Sequence, residues 1–324
     1  MMKKTLKTLT TCLMAVVFLG LGSGISQTVN YLNTPLQSID GFGACTAWYV
    51  KDTHGLSTTK QDQVFNALYS LKTGAGLSML RMRIPFEFEQ TAGTYTPSAL
   101  ANDVWFAQRA KGLGVSTVWA TPWSPPAWMK TTNTVLGWSG SADGYLKTAN
   151  YQDFANFLAQ YWKEFKTQSG ISLDYISVQN EPDYSPGSYE GCRYSTSNFH
   201  DFILKLGPTF ASQGVATGII MPETSTWNDY QTQTSLNDAA TRNDISVIAL
   251  HGYNHNPGAA GVLDGSIYGT NGQLKFAPTS GKPLWETEIS RYNVAADPSI
   301  TDGLVWALNV HDALTKANAN AWHA

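Results

Sequence analysis

The 324-residue chain has a net charge of −3, and only 14% of its residues are charged. A small and balanced charge of this kind argues against a nucleic-acid-binding surface. Tryptophan and tyrosine are abundant, with 11 and 15 residues, and their rings can either stack on sugars or fill a large core. The length suits one large domain, or one domain with a small appendage.

Residues 1–26 are predicted to be a secretory signal peptide, because three lysines precede an apolar stretch at 12–21 and small residues follow it. No later stretch has the apolar length of a membrane span. We therefore expect a secreted protein, extracellular or periplasmic, that acts as a monomer without a membrane or nucleic-acid partner. In that oxidising environment Cys45 and Cys192 either form one bridge or stay as two buried thiols.

Strand-like and helix-like segments alternate along the rest of the chain. Apolar and β-branched stretches predict eight strands, at 39–44, 77–84, 115–120, 173–179, 216–221, 245–250, 284–289 and 319–322. Helical spacing predicts helices at 59–71, 99–111, 151–166, 197–210, 231–241 and 300–316. This alternation predicts an α/β fold, a (β/α)8 TIM barrel. An open doubly wound sheet is the disfavoured alternative, because candidate site residues end many different strands.

Two of the predicted strands lead to a glutamate. A β-branched strand before Pro182 leaves Asn180 and Glu181 at its carboxyl end, since proline cannot continue the ladder. Glu288 ends the seventh strand. Because the carboxyl ends of barrel strands meet at one rim, we expect both carboxylates to face a common cleft. Such a pair suits glycoside hydrolysis, in which one carboxyl protonates the leaving oxygen and the other attacks the anomeric carbon.

A further glutamate, Glu286, lies two residues before Glu288. Strand alternation predicts that both face the barrel interior, with Glu286 one layer deeper. A buried carboxylate there needs a cation, which we expect Arg81 or Arg83 to supply. Glu286→Gln is therefore expected mainly to destabilise the barrel.

Four motifs resemble glycoside hydrolase family 30, which belongs to the clan of retaining (β/α)8 glycosidases. They are Ile-Asp-Gly-Phe-Gly at 39–43, Thr-Pro-Trp-Ser-Pro-Pro-Ala-Trp-Met-Lys at 121–130, Gln-Asn-Glu-Pro at 179–182 and Trp-Glu-Thr-Glu at 285–288. The resemblance runs from about residue 29 to residue 322. The Asn-Glu-Pro motif alone indicates only the clan, whereas the tryptophan-rich stretch together with both glutamate motifs is specific.

The resemblance implies a role for each candidate site residue. Glu181 matches the general acid/base, Glu288 the nucleophile, and Arg81 the arginine that keeps the nucleophile ionised. The candidate substrate-binding residues are Asn180, Trp123, Tyr253, Arg81, His251, Trp128, Trp48 and Trp322. Packing in the core or in loops is the alternative for the aromatic residues and His251, and a structural ion pair is the alternative for Arg81.

Two patterns that could indicate a cofactor do not fit one. Gly74 and Gly76 precede a strand and lack the third glycine of a dinucleotide fingerprint. His251 and His255 have a zinc-like spacing but lie beyond a strand in a loop rich in proline and glycine. We expect no cofactor and no metal, and a polysaccharide as the binding partner.

Members of the family usually complete the eighth strand and add a β-sandwich beside the barrel. Here the eighth strand is predicted to be incomplete and the C-terminal β-sandwich to be missing. We expect residues 27–38 to be a strand of the side domain and residues 39–324 to form the catalytic barrel. An unclosed barrel would leave its first and seventh strands with unpaired edges, so we expect a truncated chain of low stability and weak or no activity.

The expected function is that of a secreted retaining endo-β-glycosidase that acts on plant cell-wall polysaccharide, namely xylan or glucuronoxylan. A β-1,6-glucanase, a β-1,6-galactanase or a glucosylceramidase-like hydrolase of the same family is the first alternative. A carbohydrate-binding remnant without activity is the second.

Overall fold

The computed structural model describes residues 36–227, 231–253, 281–290 and 299–324. The predicted signal peptide lies outside the described residues. So do positions 27–35 of the predicted side-domain strand and most of the predicted loop at 252–282. The structural statements below concern the described residues only.

Eight parallel strands form a closed barrel, in which each strand pairs with the next and β8 pairs with β1. The strands are β1 Gly41–Cys45, β2 Met79–Ile84, β3 Thr117–Pro122, β4 Tyr175–Ser177, β5 Gly218–Thr224, β6 Ile245–His251, β7 Leu284–Glu288 and β8 Ala321–His323. The predicted (β/α)8 TIM barrel is therefore confirmed. Each strand lies within three residues of its predicted bounds at both ends, and the predicted strand at 173–179 keeps only its three central residues.

Helices cover the outside of the barrel between the strands. They are α1 Val50–His54, α2 Thr58–Tyr69, α3 Ala101–Gly112, α4 Tyr151–Ser169, α5 Thr196–Ser212, α6 Gln233–Asn237, α7 Ala239–Asp244 and α8 Ile300–Thr315. Single 3₁₀ turns occur at Phe86–Glu89, Pro97–Leu100, Ala127–Met129 and Thr148–Asn150, and Trp138–Ser139 pairs with Ala142–Asp143 in a small hairpin. None of the described helices combines the length and the apolar character that a bilayer crossing requires.

The predicted helix at 231–241 is two short helices in the structure. Asp238 separates α6 from α7, and its side chain accepts a hydrogen bond from the backbone N–H of Ala240. A capping aspartate of this kind begins a new helix and so ends the preceding one. The longest helix, α4, shows the predicted amphipathic pattern and ends at Gly170, whose φ of 73° suits a residue without a side chain.

The eighth strand closes the barrel, although only three residues form it. Ala321 pairs with Gly41 on one side and with Trp285 on the other. Backbone hydrogen bonds continue past both ends of the strand, from Asp40 N–H to Asn320 at 2.7 Å and from the N–H of residue 324 to residue 43 at 3.1 Å. The expectation that β1 and β7 have unpaired edges is therefore wrong. A short strand is enough because the residues flanking it also join the ladder.

A layer of large apolar side chains fills the barrel below its mouth. It contains Met79, Trp119, Ile220, Val247, Ala249, Trp285 and Ala321. A second and larger core lies between the strands and the surrounding helices. Polar side chains that follow the inner layer along the strands therefore lie at the barrel mouth, where TIM-barrel active sites are built.

Glu286 lies on the outer face of the barrel wall. It pairs in register with Leu250 and Trp322, which both belong to the outer core. The pairing between β6 and β7 then shifts by one residue, so that Glu288 lies beside His251. The prediction that Glu286 faces the interior is wrong, because this β-bulge breaks the strict alternation between Glu286 and Glu288.

Candidate active site

Glu181 and Glu288 lie close together at the mouth of the barrel. One carboxylate oxygen of each residue and a ring nitrogen of His251 are all within 4.8 Å of one another. Both carboxylates are largely buried, with side-chain exposures of 11% and 19%. A retaining glycosidase needs its carboxyl groups about 5–5.5 Å apart, whereas an inverting one needs roughly 6.5–9.5 Å. The separation therefore suits direct attack on a bound sugar by one of the two groups.

Glu288 is held in its ionised form by groups from β2, from β6 and from the residues that follow β6. Arg81 on β2 donates from Nη1 to Oε2 of Glu288 at 2.6 Å, and the Tyr253 hydroxyl donates to Oε1 at 2.7 Å. Burial would raise the pKa of Glu288, but the positive charges of His251 and Arg81 and the hydrogen bonds lower it. An ionised carboxylate at this position can act as a nucleophile.

Glu181 has different surroundings, since its carboxylate contacts His251 and no arginine among the described residues. The Nδ1 atom of His251 lies 3.1 Å from Oε1 of Glu181. The backbone at Glu181 has a φ of 45°, which is rare for a residue with a side chain. Its N–H donates to the backbone carbonyl of Glu223 at 2.9 Å, which helps to hold this conformation.

Arg81 connects several parts of the site from a fully buried position. Besides Glu288 it donates from Nη2 to Oδ1 of Asn180 at 2.7 Å, and its guanidinium lies 4.7 Å from the ring of Trp123. Burial opposes the charge, but Glu223, Cys45 and Glu288 raise the pKa of Arg81 above its usual value. Arg81 thus lies beside Glu288, the candidate nucleophile. Because Oδ1 of Asn180 is occupied by Arg81, its amide nitrogen is the atom that can face a sugar hydroxyl.

The structure adds a third glutamate that the sequence analysis missed. Glu223 is fully buried at the end of β5, with Oε1 2.9 Å from Nη2 of Arg81. Thr121 donates to its Oε2 at 2.8 Å. Burial opposes ionisation, but Arg81 and His251 outweigh it and lower the pKa of Glu223 to about 2. The sequence did contain a signal for Glu223, because a Pro-Glu pair follows the predicted strand at 216–221. Glu181 was identified from the same kind of position at a strand end.

His251 lies between all three carboxylates. Its Nδ1 is 3.1 Å from Glu181 and 3.9 Å from Glu288, and its Nε2 is 3.5 Å from Glu223. Burial would lower the pKa of the imidazole, but the charge of Glu288 and the hydrogen bonds to Glu181 and Glu223 raise it to about 10. The ring is therefore positively charged at neutral pH, and the structure places it between the two candidate catalytic carboxylates.

Three aromatic side chains form one wall of the cleft beside Arg81. Trp123 is buried, and Trp48 packs edge-on against it with ring centroids 5.7 Å apart. Tyr189 packs against Trp48 in turn, at 6.4 Å. Trp48 remains 48% exposed, so a sugar can reach its ring. Beside Trp48 lies a pocket of about 450 Å³, which is also lined by Arg83 and Glu190.

Two other candidate tryptophans lie elsewhere. Trp128 packs against the core and donates from its indole nitrogen to the carbonyl of Glu89 at 3.2 Å, which is the packing alternative. Trp322 lies in the outer core against Trp306, with ring centroids 6.0 Å apart. The expected place of Trp322 beneath the sugar site is wrong, because Trp322 faces the outer core. The next residue of β8, His323, faces inward and accepts a hydrogen bond from the indole of Trp119 at 3.3 Å.

Glu286 has no counter-ion among the described residues. Arg81 pairs with Glu223 and Glu288, while Arg83 pairs with Glu87 and Glu190, so the predicted arginine partner of Glu286 is wrong. Burial raises the pKa of Glu286 to about 8, and the charge of His251 and the nearby indole of Trp322 offset only part of this effect. The carboxyl group is accommodated mainly as a neutral acid.

Cys45 and Cys192 are unbonded thiols, so of the two alternatives the second is found. Arg81 donates to the sulfur of Cys45 at 3.4 Å. Burial raises the pKa of both thiols, that of Cys192 to about 12. Neither thiol is therefore a nucleophile at neutral pH.

Comparisons with known proteins place this geometry in a family. The model of O-glycosyl hydrolase family 30 matches residues 81–256, which is more than half of the chain. The structure of a glycoside hydrolase family 30 subfamily 8 xylanase from Clostridium acetobutylicum superposes with a TM-score of 0.70 at 33% identity. That superposition covers 89% of this chain and 64% of the xylanase.

Two curated relatives have different substrates in their names. Glucuronoxylanase XynC of Bacillus subtilis is 26% identical over 99% of this chain and 69% of its own length. An endo-1,6-β-D-glucanase of Aspergillus fumigatus is 25% identical over 85% of this chain and 60% of its own length. The chain spans between 38% and 60% of the length of several of its curated relatives. On the extent of the family match, the chain belongs to glycoside hydrolase family 30.

Proposed function

We propose that this protein is a retaining endo-β-glycosidase with Glu288 as nucleophile and Glu181 as general acid/base. The observation that carries the proposal is the placement of two carboxylates within 4.8 Å in unlike surroundings. Arg81 and Tyr253 hold Glu288 ionised, whereas Glu181 contacts only the imidazole of His251 among the described charged groups. Unlike surroundings are what separate an acid from a nucleophile in such a pair.

In the first step Glu288 attacks the anomeric carbon while Glu181 gives its proton to the leaving oxygen, which breaks the glycosidic bond and forms a glycosyl-enzyme. In the second step Glu181, now ionised, removes a proton from water as that water attacks the same carbon and releases Glu288. Arg81 stabilises the negative charge that returns to Glu288. The amide of Asn180 binds a sugar hydroxyl next to the reacting centre.

Xylan or glucuronoxylan is the proposed substrate. The support is the xylanase structure at 33% identity and the glucuronoxylanase relative that matches 99% of this chain. The exposed ring of Trp48 and the adjoining pocket suit binding of a sugar beyond the reacting one. A β-1,6-glucan is the second candidate, because two endo-1,6-β-D-glucanases match 85% of this chain.

We further propose that the protein is exported and acts as a monomer on its polysaccharide. The export proposal rests on the signal-peptide pattern of residues 1–26. The test is the size of the mature protein in culture medium and periplasm, which should correspond to cleavage near residue 26. A product that stays in the cytoplasm at full size would contradict export.

The activity test offers the purified protein four polymers: glucuronoxylan, unsubstituted xylan, β-1,6-glucan and β-1,6-galactan. We expect oligosaccharides from the two xylans and, by proton NMR, the β-anomer as first product. A first product of the α-anomer would contradict retention, and hydrolysis of the β-1,6-glucan alone would replace xylan by the second candidate. No product from any polymer and no turnover of aryl β-glycosides would favour the inactive remnant.

A further inference from the structure

Glu223 lies beneath the two proposed catalytic carboxylates and contacts both of the cations that face them. Its Oε1 is 2.9 Å from Arg81 and 3.5 Å from Nε2 of His251. Arg81 in turn binds Glu288, and His251 binds Glu181. A single buried side chain is therefore linked to each carboxylate through one intermediate residue.

The backbone conformation of Glu223 supports a functional role for its contacts with Arg81 and His251. Its φ of 55° is in the left-handed region, as is that of Glu181 at 45°. The two residues are joined by the hydrogen bond from the N–H of Glu181 to the carbonyl of Glu223, at 2.9 Å. Residues in this region cost free energy, and they persist at sites where surrounding contacts enforce them.

Glu223 balances the charge of two cations at once. Arg81 and His251 are both positively charged, and Glu223 contacts each of them. Without Glu223 they would lose a counter-charge that they share, so their mutual repulsion would disfavour the charge on His251 and move its ring away from Glu181.

We propose that Glu223 is a positioning residue that binds Arg81 and His251 together and, by neutralising one of their charges, keeps Arg81 directed at Glu288 and His251 directed at Glu181 for the first step. The proposal rests on the catalytic roles proposed above for Glu181 and Glu288. Glu223 does not reach the cleft, since it is completely buried, so it acts through its two partners.

The other groups that face Glu223 and His251 do not supply the same charge. They are Thr121 on β3, Ser177 on β4, Tyr253 after β6 and His323 on β8, together with Cys45 on β1, which faces Arg81. The hydroxyl groups and the thiol are neutral at pH 7. Burial lowers the pKa of His323 to about 4, so this ring is neutral as well. Glu286 also interacts with His251 from the outer face, but burial raises its pKa to about 8, so it is mainly neutral at pH 7. Apart from Glu288, Glu223 is thus the one described carboxylate that contacts both Arg81 and His251.

The variant Glu223→Gln removes the charge and keeps the shape. The measurement is the pH profile of kcat/KM on xylan and on a dinitrophenyl β-glycoside, whose leaving group needs no proton. We expect the alkaline limb on xylan to move to lower pH by about one unit or more, and the loss at pH 7 to be at least tenfold greater on xylan than on the aryl glycoside. Equal losses of kcat/KM on both substrates, with no shift of the pH profile, would show that Glu223 has a merely structural role and would overturn the proposal.

A second readout does not depend on activity. In protein labelled with ¹⁵N-histidine, the ring of His251 should stay protonated beyond pH 8 in the wild type and lose its proton at lower pH in Glu223→Gln. His251→Gln identifies the signal. A wild-type ring that titrates near the ordinary value of about 6.5 would overturn the charge balance even if Glu223→Gln failed to fold. Wild-type protein that hydrolyses nothing would contradict the proposed function and leave this titration as the test of the inference.

Two variants serve as controls. Glu223→Asp keeps the negative charge and should restore the position of the alkaline limb, although its shorter side chain lowers the rate. Asp312→Asn removes another buried carboxylate, which lies on α8 and pairs with Lys316, and should leave the pH profile unchanged. A profile shifted equally in Asp312→Asn would contradict a specific effect of Glu223.

Discussion

Glu223 on β5 and Glu286 on β7 are both fully buried glutamates of the barrel wall, yet their chemical states are opposite. Glu223 faces inward to two cations, and its pKa is lowered to about 2. Glu286 faces outward to apolar side chains, and its pKa is raised to about 8. The inner and outer faces of the barrel wall therefore provide different electrostatic environments for a buried carboxyl group. The inner face at the mouth holds a network of charges, and the outer face holds the helices to the sheet.

The largest expected effect belongs to the inner face. Glu288→Ala should lower turnover of every substrate roughly 10⁴-fold or more, because no other described group can form the glycosyl-enzyme. Glu181→Ala should lower xylan turnover roughly 10²–10⁴-fold and spare the first step on dinitrophenyl glycosides. The measurement is steady-state and burst kinetics of both variants on both substrates.

A mechanism-based fluorosugar followed by peptide mass spectrometry identifies the nucleophile independently. The label should be found on Glu288 in the wild type and be absent from Glu288→Ala. Label on Glu286 would contradict both the assignment and the division between inner and outer face.

Arg81→Met tests what the inner network contributes to folding. It leaves Glu223 as a buried charge without its main partner, so the free energy of unfolding should fall by about 3–5 kcal/mol. The measurement is urea unfolding at pH 7. The matched control is Arg109→Met, because Arg109 pairs with Asp62 at the surface, where an ion pair contributes about 1 kcal/mol or less. Equal losses of unfolding free energy in the two variants would show that burial of Arg81 does not increase its contribution to stability.

Glu286→Gln tests the outer face, and the sign of its effect follows from the pKa of Glu286. In the unfolded chain the group titrates near 4.5 and in the folded chain near 8. Between these values the unfolded state binds fewer protons, so the contribution of Glu286 to the stability of the wild type falls as pH rises from about 4.5 to about 8 and is constant above that.

The glutamine variant lacks this pH-dependent loss of stability. At pH 7 its free energy of unfolding should therefore exceed that of the wild type by on the order of 3 kcal/mol, and near pH 4 the two should not differ. This reverses the expectation from the sequence, because the structure gives Glu286 no cation to lose. Thermal melts of both proteins from pH 4 to pH 9 provide the measurement. A variant that melts lower than the wild type at every pH would contradict the neutral state of Glu286.

The smallest effect is expected at the rim of the cleft. Trp48→Ala should lower kcat/KM on polymeric xylan about tenfold, the magnitude of one aromatic contact, and leave the aryl glycoside and the melting temperature nearly unchanged. Tyr49→Ala is the control, because its side chain is 69% exposed and does not pack on Trp123. Equal losses on polymer and aryl substrate would show that Trp48 supports the site and binds no further sugar.

Much of the site could be predicted from the sequence because its main residues are marked locally. Glu181 and Glu288 end apolar strands, and Arg81 interrupts one, so each violates the pattern of its own strand. In a parallel barrel the strand ends meet by necessity, and this is why residues of β2, β4 and β7 could be brought together without coordinates. The barrel itself followed from the alternation of strand and helix periods.

Only the tertiary structure decided the features that depend on a single residue of register or on several strands at once. The bulge in β7 turns Glu286 outward while Glu288 stays inward, and a one-residue shift of this kind has no reliable signature in the sequence. The position of Trp322 on the outer face and the closure by β8 depend on the same kind of register. Glu223 became recognisable only when folding brought Arg81 and His251 to it, because a charge network joins residues that are far apart in the chain.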